Sequence, residues 1–236
     1  MSHAGELLAR LNPRGIDYMG VPGGVPELTT SDIAAALAFV PKGLGRSVLE
    51  AVYWPDGATL RSSELLDEVM KVVLPELNRQ AQQLNEASVD VQLVQMAIRY
   101  TRTNTTLLQQ QALSRAQLRL DALKAAAWPK NTIERVPFIV KAIIAELSGV
   151  IKCGECHGYG QMIQQDIIKE CENCLGTGLD CHSERRRASL IKCDQRDYLR
   201  RWKTVYDWVL KKIASAKAAA SIQLQSVLQT KISTSK

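Results

Sequence analysis

The chain is poor in aromatic residues, at 5% of 236 positions, and contains only two phenylalanines. It has no apolar run near the roughly 20 residues of a membrane span; Ile33–Val40 is among the longest. Its N-terminal MSHAGELLARLN lacks a basic start followed by an apolar stretch, so no secretory signal is read and a soluble, cytoplasmic protein is expected. There is no P-loop, no paired acidic metal motif and no nucleophile with a plausible base, so no enzyme is expected. Glycine is absent from Ala58 to Ser148, which leaves that stretch free for long helices. What is present in quantity is apolar residue content, 46%, too high for disorder throughout.

Charge is unevenly placed. The formal net charge is +6, yet residues from Ser183 onward carry 13 basic and 4 acidic residues, a net +9, against −3 for the first 182. A basic end on a mildly acidic body points toward a polyanion.

Eight of 14 glycines and five of eight prolines lie in the first 57 residues, so 1–30 reads as a flexible arm. Thr30-Ser31-Asp32 can cap a short helix over Ile33–Phe39, and a second follows Gly45. This pair is either a weak DNA-binding signal or two helices packing together. Ser62-Ser63-Glu64 opens a helical stretch, and Leu84–Leu123 reads as one or two long helices. Val91, Val94, Ile98, Leu113, Leu120 and Leu123 can form a seam, within a bundle or toward a partner. Trp128-Pro129 breaks the run, and a further helix is expected over Phe138–Leu147. The helical body is thus set at 31–150.

The most specific pattern is Cys153-x-x-Cys156, 14 residues, then Cys171-x-x-Cys174. Two thiolate pairs so spaced can supply four tetrahedral ligands to one structural zinc ion, leaving no open catalytic position. Each pair continues as C-x-x-C-x-G-x-G, where glycine permits positive φ just after the ligands. Met162-Ile163-Gln164 and Ile167-Ile168-Lys169 can form a hairpin between the pairs. A redox dithiol lacks the strand and helix setting of such sites. His157 and His182 are competing ligands, and Cys181 and Cys193 read as free thiols. This zinc module occupies 151–180.

Beyond it, 181–236 reads as two helices joined by a tight turn, then a C-terminal helix. The first starts at Ser183-Glu184 and runs to about Cys193; Asp194, with Asp197 three residues on, caps the second. Tyr198, Trp202, Val205, Tyr206, Val209 and Ile213 should face inward, with Arg196, Arg200, Lys203, Asp207 and Lys211 on an opposite stripe. That is helix-turn-helix spacing. Gln195, Arg196, Arg200 and Lys203 would approach double-stranded DNA, while Arg185, Arg186, Arg187 and Lys192 suit phosphates. A solvated amphipathic helix is the alternative. The fold expected is mainly α, with a four-cysteine zinc knuckle and β-hairpin insert and a helix-turn-helix.

CGECHGYG, KECENCLGTG and RWKTVYDWVL, within 135–213, resemble the lambda-type Q proteins, the late-gene antiterminators of lambdoid phages. TTSDIAAALAFVPKGLGRSVLEAVYW is a weaker match. The resemblance implies a protein that binds a DNA element in a phage late promoter. Such a protein loads onto paused host RNA polymerase through the flap and sigma region 4, with NusA assisting, and lets it pass terminators. It implies zinc at Cys153, Cys156, Cys171 and Cys174 and DNA reading by 184–212. Three rivals remain: a DNA-binding activator or repressor, a chaperone module built on similar knuckles but here without HPD, and a nucleic-acid-processing enzyme with a scaffold zinc.

Overall fold

The computed structural model describes residues 30–53, 62–100, 106–149, 153–164, 167–178 and 182–234. Residues 1–29 of the expected arm, and Cys181, lie outside these. The described chain is mainly helical, with a two-stranded sheet. In order it forms α1 (Thr30–Phe39), α2 (Leu44–Tyr53), α3 (Ser62–Tyr100), α4 (Leu107–Ala126) and α5 (Thr132–Leu147). Strands β1 (Gln161–Gln164) and β2 (Ile167–Glu170) follow, then α6 (Glu184–Leu190) and the single turn α7 (Gln195–Asp197). A π-helical turn (Tyr198–Trp202) leads into α8 (Lys203–Thr234). Among the described residues no helix is long and apolar enough to cross a membrane.

Two compact units result, and the span read as one body, 31–150, is shared between them. One unit, Lys71–Thr132, is an antiparallel helical hairpin. Its direction follows from two contacts: Asp90 pairs with Arg119 at 2.9 Å, and Gln80 Oε1 accepts from the Trp128 N–H. Burial within it follows the alternating three- and four-residue spacing of a two-helix seam. Leu84, Ala87, Val91, Val94 and Ile98 on α3, and Leu113, Ala116, Leu120 and Leu123 on α4, are buried or half-buried. α4 starts with a reciprocal capping box between Thr106 and Gln109.

The other unit joins the described residues up to Met70 with those from Ile133 onward. α8 is its spine. Val205, Tyr206, Val209 and Ile213, with Tyr198 and Trp202 from the π turn, are all at most 2% exposed, as the periodicity predicts. The C-terminal part of α8 buries Ala220 and Leu224 against Ala36, Leu37 and Val40 of α1 and the following turn, and Leu49 of α2. α2 lies close there, because a Cβ on Gly45 would press on the Ala216 carbonyl and the Ala220 side chain.

Helix α5 begins six residues before the expected Phe138 and carries Pro137 inside it. Proline forgoes one backbone bond and crowds the preceding turn, which argues for a break. Burial of Val136, Ile139, Val140 and Ile143 on one face outweighs that cost. At the far end of α5, Glu146 is 3% exposed and accepts two hydrogen bonds from the Arg187 guanidinium of α6. Tyr206 Oη of α8 donates to the same carboxylate at 2.8 Å, and Arg187 also reaches Asp207 at 3.2 Å.

Two outcomes follow. Glu146→Ala should cost about 3–5 kcal/mol in chemical denaturation, because it strands a buried guanidinium; pairing Glu146→Leu with Arg187→Met should recover part of that loss. The second concerns Lys217, whose ammonium lies 5.2 Å from the Tyr53 ring centre and has no carboxylate partner among the described residues. Burial brings it down to about 8. Between that value and the ordinary 10.5 the unfolded chain binds more protons, so this residue's contribution to stability rises with pH. Lys217→Met should therefore raise the melting temperature at pH 7, with the advantage shrinking as pH climbs through 8 toward 10.5.

Candidate metal centre and the basic helices beside it

The four motif cysteines converge. Their sulfurs lie within 4.8 Å of one another, and all four residues are buried. Cys153 and Cys171 Sγ are 4.0 Å apart, Cys156 and Cys174 Sγ 3.6 Å. A tetrahedron of sulfurs about 2.3 Å from a central zinc has edges of about 3.8 Å, so the donor set fits such an ion in number, kind and spacing. His157 and His182 are outside the cluster, and Cys193 is half-buried and free.

Local chain geometry explains the convergence. The two knuckles repeat each other at an offset of 18 residues. Cys153 N–H donates to the Gly178 carbonyl, and Cys171 N–H to that of Gly160. Gly160 N–H points at Cys156 Sγ (3.1 Å) and Gly178 N–H at Cys174 Sγ (3.3 Å). After each second cysteine the chain turns left-handed, with φ of 52° at His157 and 50° at Leu175. Gly160 and Gly178 both have φ of 73°, and a Cβ on either would collide with a backbone carbonyl of the other knuckle, Gly176 or Gly158. The glycine pattern thus serves close approach as well as backbone freedom. The antiparallel β1–β2 hairpin pairs Gln161 with Glu170 and closes the loop between the knuckles.

The thiols are electrostatically coupled. Burial pushes Cys153 up, but hydrogen bonds from the backbone and from the Asn173 amide, 3.2 Å from its sulfur, outweigh this and bring it to about 7. Cys174 is pushed up to about 12, first by burial and then by the Cys156 and Cys171 thiols and the charge on Cys153. Four adjacent sulfurs cannot all ionise unaided; a cation at their centre removes the repulsion.

The segment after the knuckle is anchored on both sides. Ser183 Oγ caps α6 through the Arg186 N–H. α6 ends at Leu190, earlier than the expected Cys193, because Lys192 adopts φ of 61°. Lys192 N–H then bonds the Ser189 carbonyl and Cys193 N–H that of Ala188, a Schellman closure with lysine where glycine is usual. Arg135 of α5 donates to the Ile191 and Lys192 carbonyls at 2.7 and 3.0 Å, and the Lys192 ammonium sits 4.4 Å from the Phe138 ring centre. Asp194 caps the next turn, as expected, by accepting from Asp197 N–H.

Of the residues expected to face DNA, Arg185, Arg186, Lys192, Gln195, Arg196 and Arg200 are exposed. Arg187 is not. At 6% exposure, held by Glu146 and Asp207, it is an interior residue and its assignment to phosphates is corrected. Part of the opposite stripe turns to the protein: Lys203 and Asp207 pair with Glu184 and Arg187 of α6, while the exposed Lys211 pairs with Glu170 of β2. Arg201, which the sequence reading assigned to neither face, is exposed beside Arg200. Of these differences only the adjacency of the two arginines was visible in the sequence.

No family model, curated protein or solved structure matches the chain.

Metal analysis of the purified chain should give about one zinc per chain. Cys171→Ser should lower both zinc content and melting temperature, and Gly160→Ala should do the same without removing a ligand. A metal-free chain with the wild-type melting profile would remove the structural-zinc assignment.

Proposed function

We propose that this chain is a phage late-gene transcription antiterminator of the lambda Q type that carries one structural zinc and binds double-stranded DNA. The observation that carries the reading is positional. The four-cysteine cluster is followed, after a short connection, by α6, a closed turn, α7 and the π turn, and six of the eight expected DNA-facing residues are exposed on that segment. The metal would be held by Cys153, Cys156, Cys171 and Cys174, where it supplies cross-linking rather than chemistry. The second helix would enter the major groove N-terminus first, in the manner of a helix-turn-helix, bringing Gln195, Arg196 and Arg200 to base edges. Arg185, Arg186 and Lys192 would hold phosphates.

Antitermination itself rests on the resemblance of the knuckles and the RWKTVYDWVL segment to lambda-type Q proteins. In that scheme promoter DNA supplies the address. Host polymerase, engaged through its flap and sigma region 4 with NusA assisting, carries the protein into elongation. The setting would be the bacterial cytoplasm, and the role is not enzymatic. DNA binding without antitermination is the second reading, since the exposed arginines speak only to DNA.

Transcription in vitro through a terminator separates the two. An antiterminator raises read-through, and only on templates that keep the upstream promoter sequence. An activator or repressor alters initiation and leaves read-through unchanged. In a salt titration of DNA binding, replacing Arg185 and Arg186 together by alanine should reduce the log–log slope by about 2. Arg187→Ala should instead lower the melting temperature.

A further inference from the structure

The surface of the π turn carries a feature that the DNA-binding reading does not use. Asp197 sits at the end of α7, and its carboxylate does three things. Oδ2 accepts from the indole N–H of the buried Trp202 at 3.1 Å, which fixes the carboxylate's orientation. Oδ1 lies 3.4 Å from the Arg201 guanidinium and 4.0 Å from that of Arg200. Both arginine side chains remain largely exposed, at 73% for Arg200 and 58% for Arg201.

Two adjacent guanidiniums repel each other and, on flexible stems, would splay into solvent. A carboxylate anchored to Trp202 draws both toward the same side by charge, Arg201 more closely than Arg200. This restraint removes part of the ordering entropy that binding would otherwise require. The planar guanidinium fork suits the paired acceptors of a guanine edge, whereas phosphates accept lysine and arginine alike. An acidic residue in the middle of a DNA-facing surface lowers affinity for any polyanion.

We infer that Asp197 is a positioning residue that holds Arg200 and Arg201 side by side as a guanine-reading edge. The inference rests on the DNA-binding reading of α6 and α7 and specifies what that surface recognises.

The test uses the full-length zinc-loaded chain. A preferred duplex is selected from a pool of random double-stranded oligonucleotides, and binding to it is compared with binding to a scrambled duplex of equal length. Asp197→Asn keeps an oxygen acceptor for Trp202 and removes the negative charge. It should bind the scrambled duplex as tightly as wild type or more tightly, while its preference for the selected duplex falls by about 10- to 100-fold. Arg201→Lys keeps the charge and should show the same loss of preference with an unchanged salt slope. A general electrostatic role for Asp197 predicts the opposite: equal gains on both duplexes and an unchanged ratio, which overturns the inference. Preference retained in Arg201→Lys assigns that residue to phosphate and likewise overturns the paired edge. A wild-type chain with no preferred duplex overturns the underlying DNA-reading assignment along with this one. Melting temperature and zinc content identify any variant that fails to fold. Should Asp197→Asn be one, the exposed Arg200→Lys and Arg201→Lys variants carry the test.

Discussion

The ion pair between Glu146 and Arg187 is the constraint on which the functional half of the molecule depends. Glu146 stands one residue from the end of α5, and Arg187 at the middle of α6. Everything between them, the two knuckles and the hairpin, is an insert whose two stems this pair joins. A carboxylate that accepts from one guanidinium and one tyrosine Oη, both within the core, has few alternative arrangements. A buried pair of this kind gives little net stability over an apolar substitute, because desolvation opposes the attraction. Its consequence is geometric: α5, α6 and α8 are fixed at one point, and with them the direction in which α6 leaves the knuckle.

The knuckle has its own answer to the lack of a core. A loop of this size buries too little apolar surface to fold alone; Tyr159 and Ile168 are 85% and 68% exposed, and Met162 packs against the cysteines. Order comes from the four sulfurs and from the mutual backbone contacts of the two glycine turns. A metal ion would make the folding of this insert conditional on thiolate charge, since binding displaces protons. Its β2 strand is also tied to the long helix by Glu170 and Lys211, so the insert is held at its stems and along one strand.

Much of this was legible from residue order because it rests on periodicity and on local chemistry. The inward face of α8, the hairpin seam and the four-cysteine cluster follow from spacings of 3.6, 3.5 and C-x-x-C respectively, and the structure shows each. Ser183 and Asp194 were legible as caps for the same reason. What was not legible depends on distant partners. Arg187 looks like its two neighbours in an Arg-Arg-Arg run, and only Glu146, 41 residues earlier, makes it an interior residue. Lys192 gives no sign of a left-handed cap; Phe138 and Arg135 of α5 support it there. Pro137 marks a helix break by local rules; it is exposed, and burial of the flanking Val136 and Val140 overrides it. The π turn leaves no mark on the pattern, because Tyr198 and Trp202 keep the inward spacing of a regular helix.

These long-range pairings change the meaning of the charge asymmetry. A net +9 over the C-terminal segment suggests a diffuse cationic tail. In the folded chain Arg187, Lys203 and Lys211 are paired with Glu146, Glu184 and Glu170, so their charges are largely neutralised within the protein. What faces outward around the turn is the smaller group Arg185, Arg186, Lys192, Arg196, Arg200 and Arg201, all within 17 consecutive residues. A polyanion meeting the protein therefore encounters exposed arginines on either side of a turn whose Ile191 and Lys192 carbonyls are held by Arg135 of α5. Diffuse charge gives attraction without register, whereas charge beside a held turn can keep one register, which any selective reading of a duplex requires.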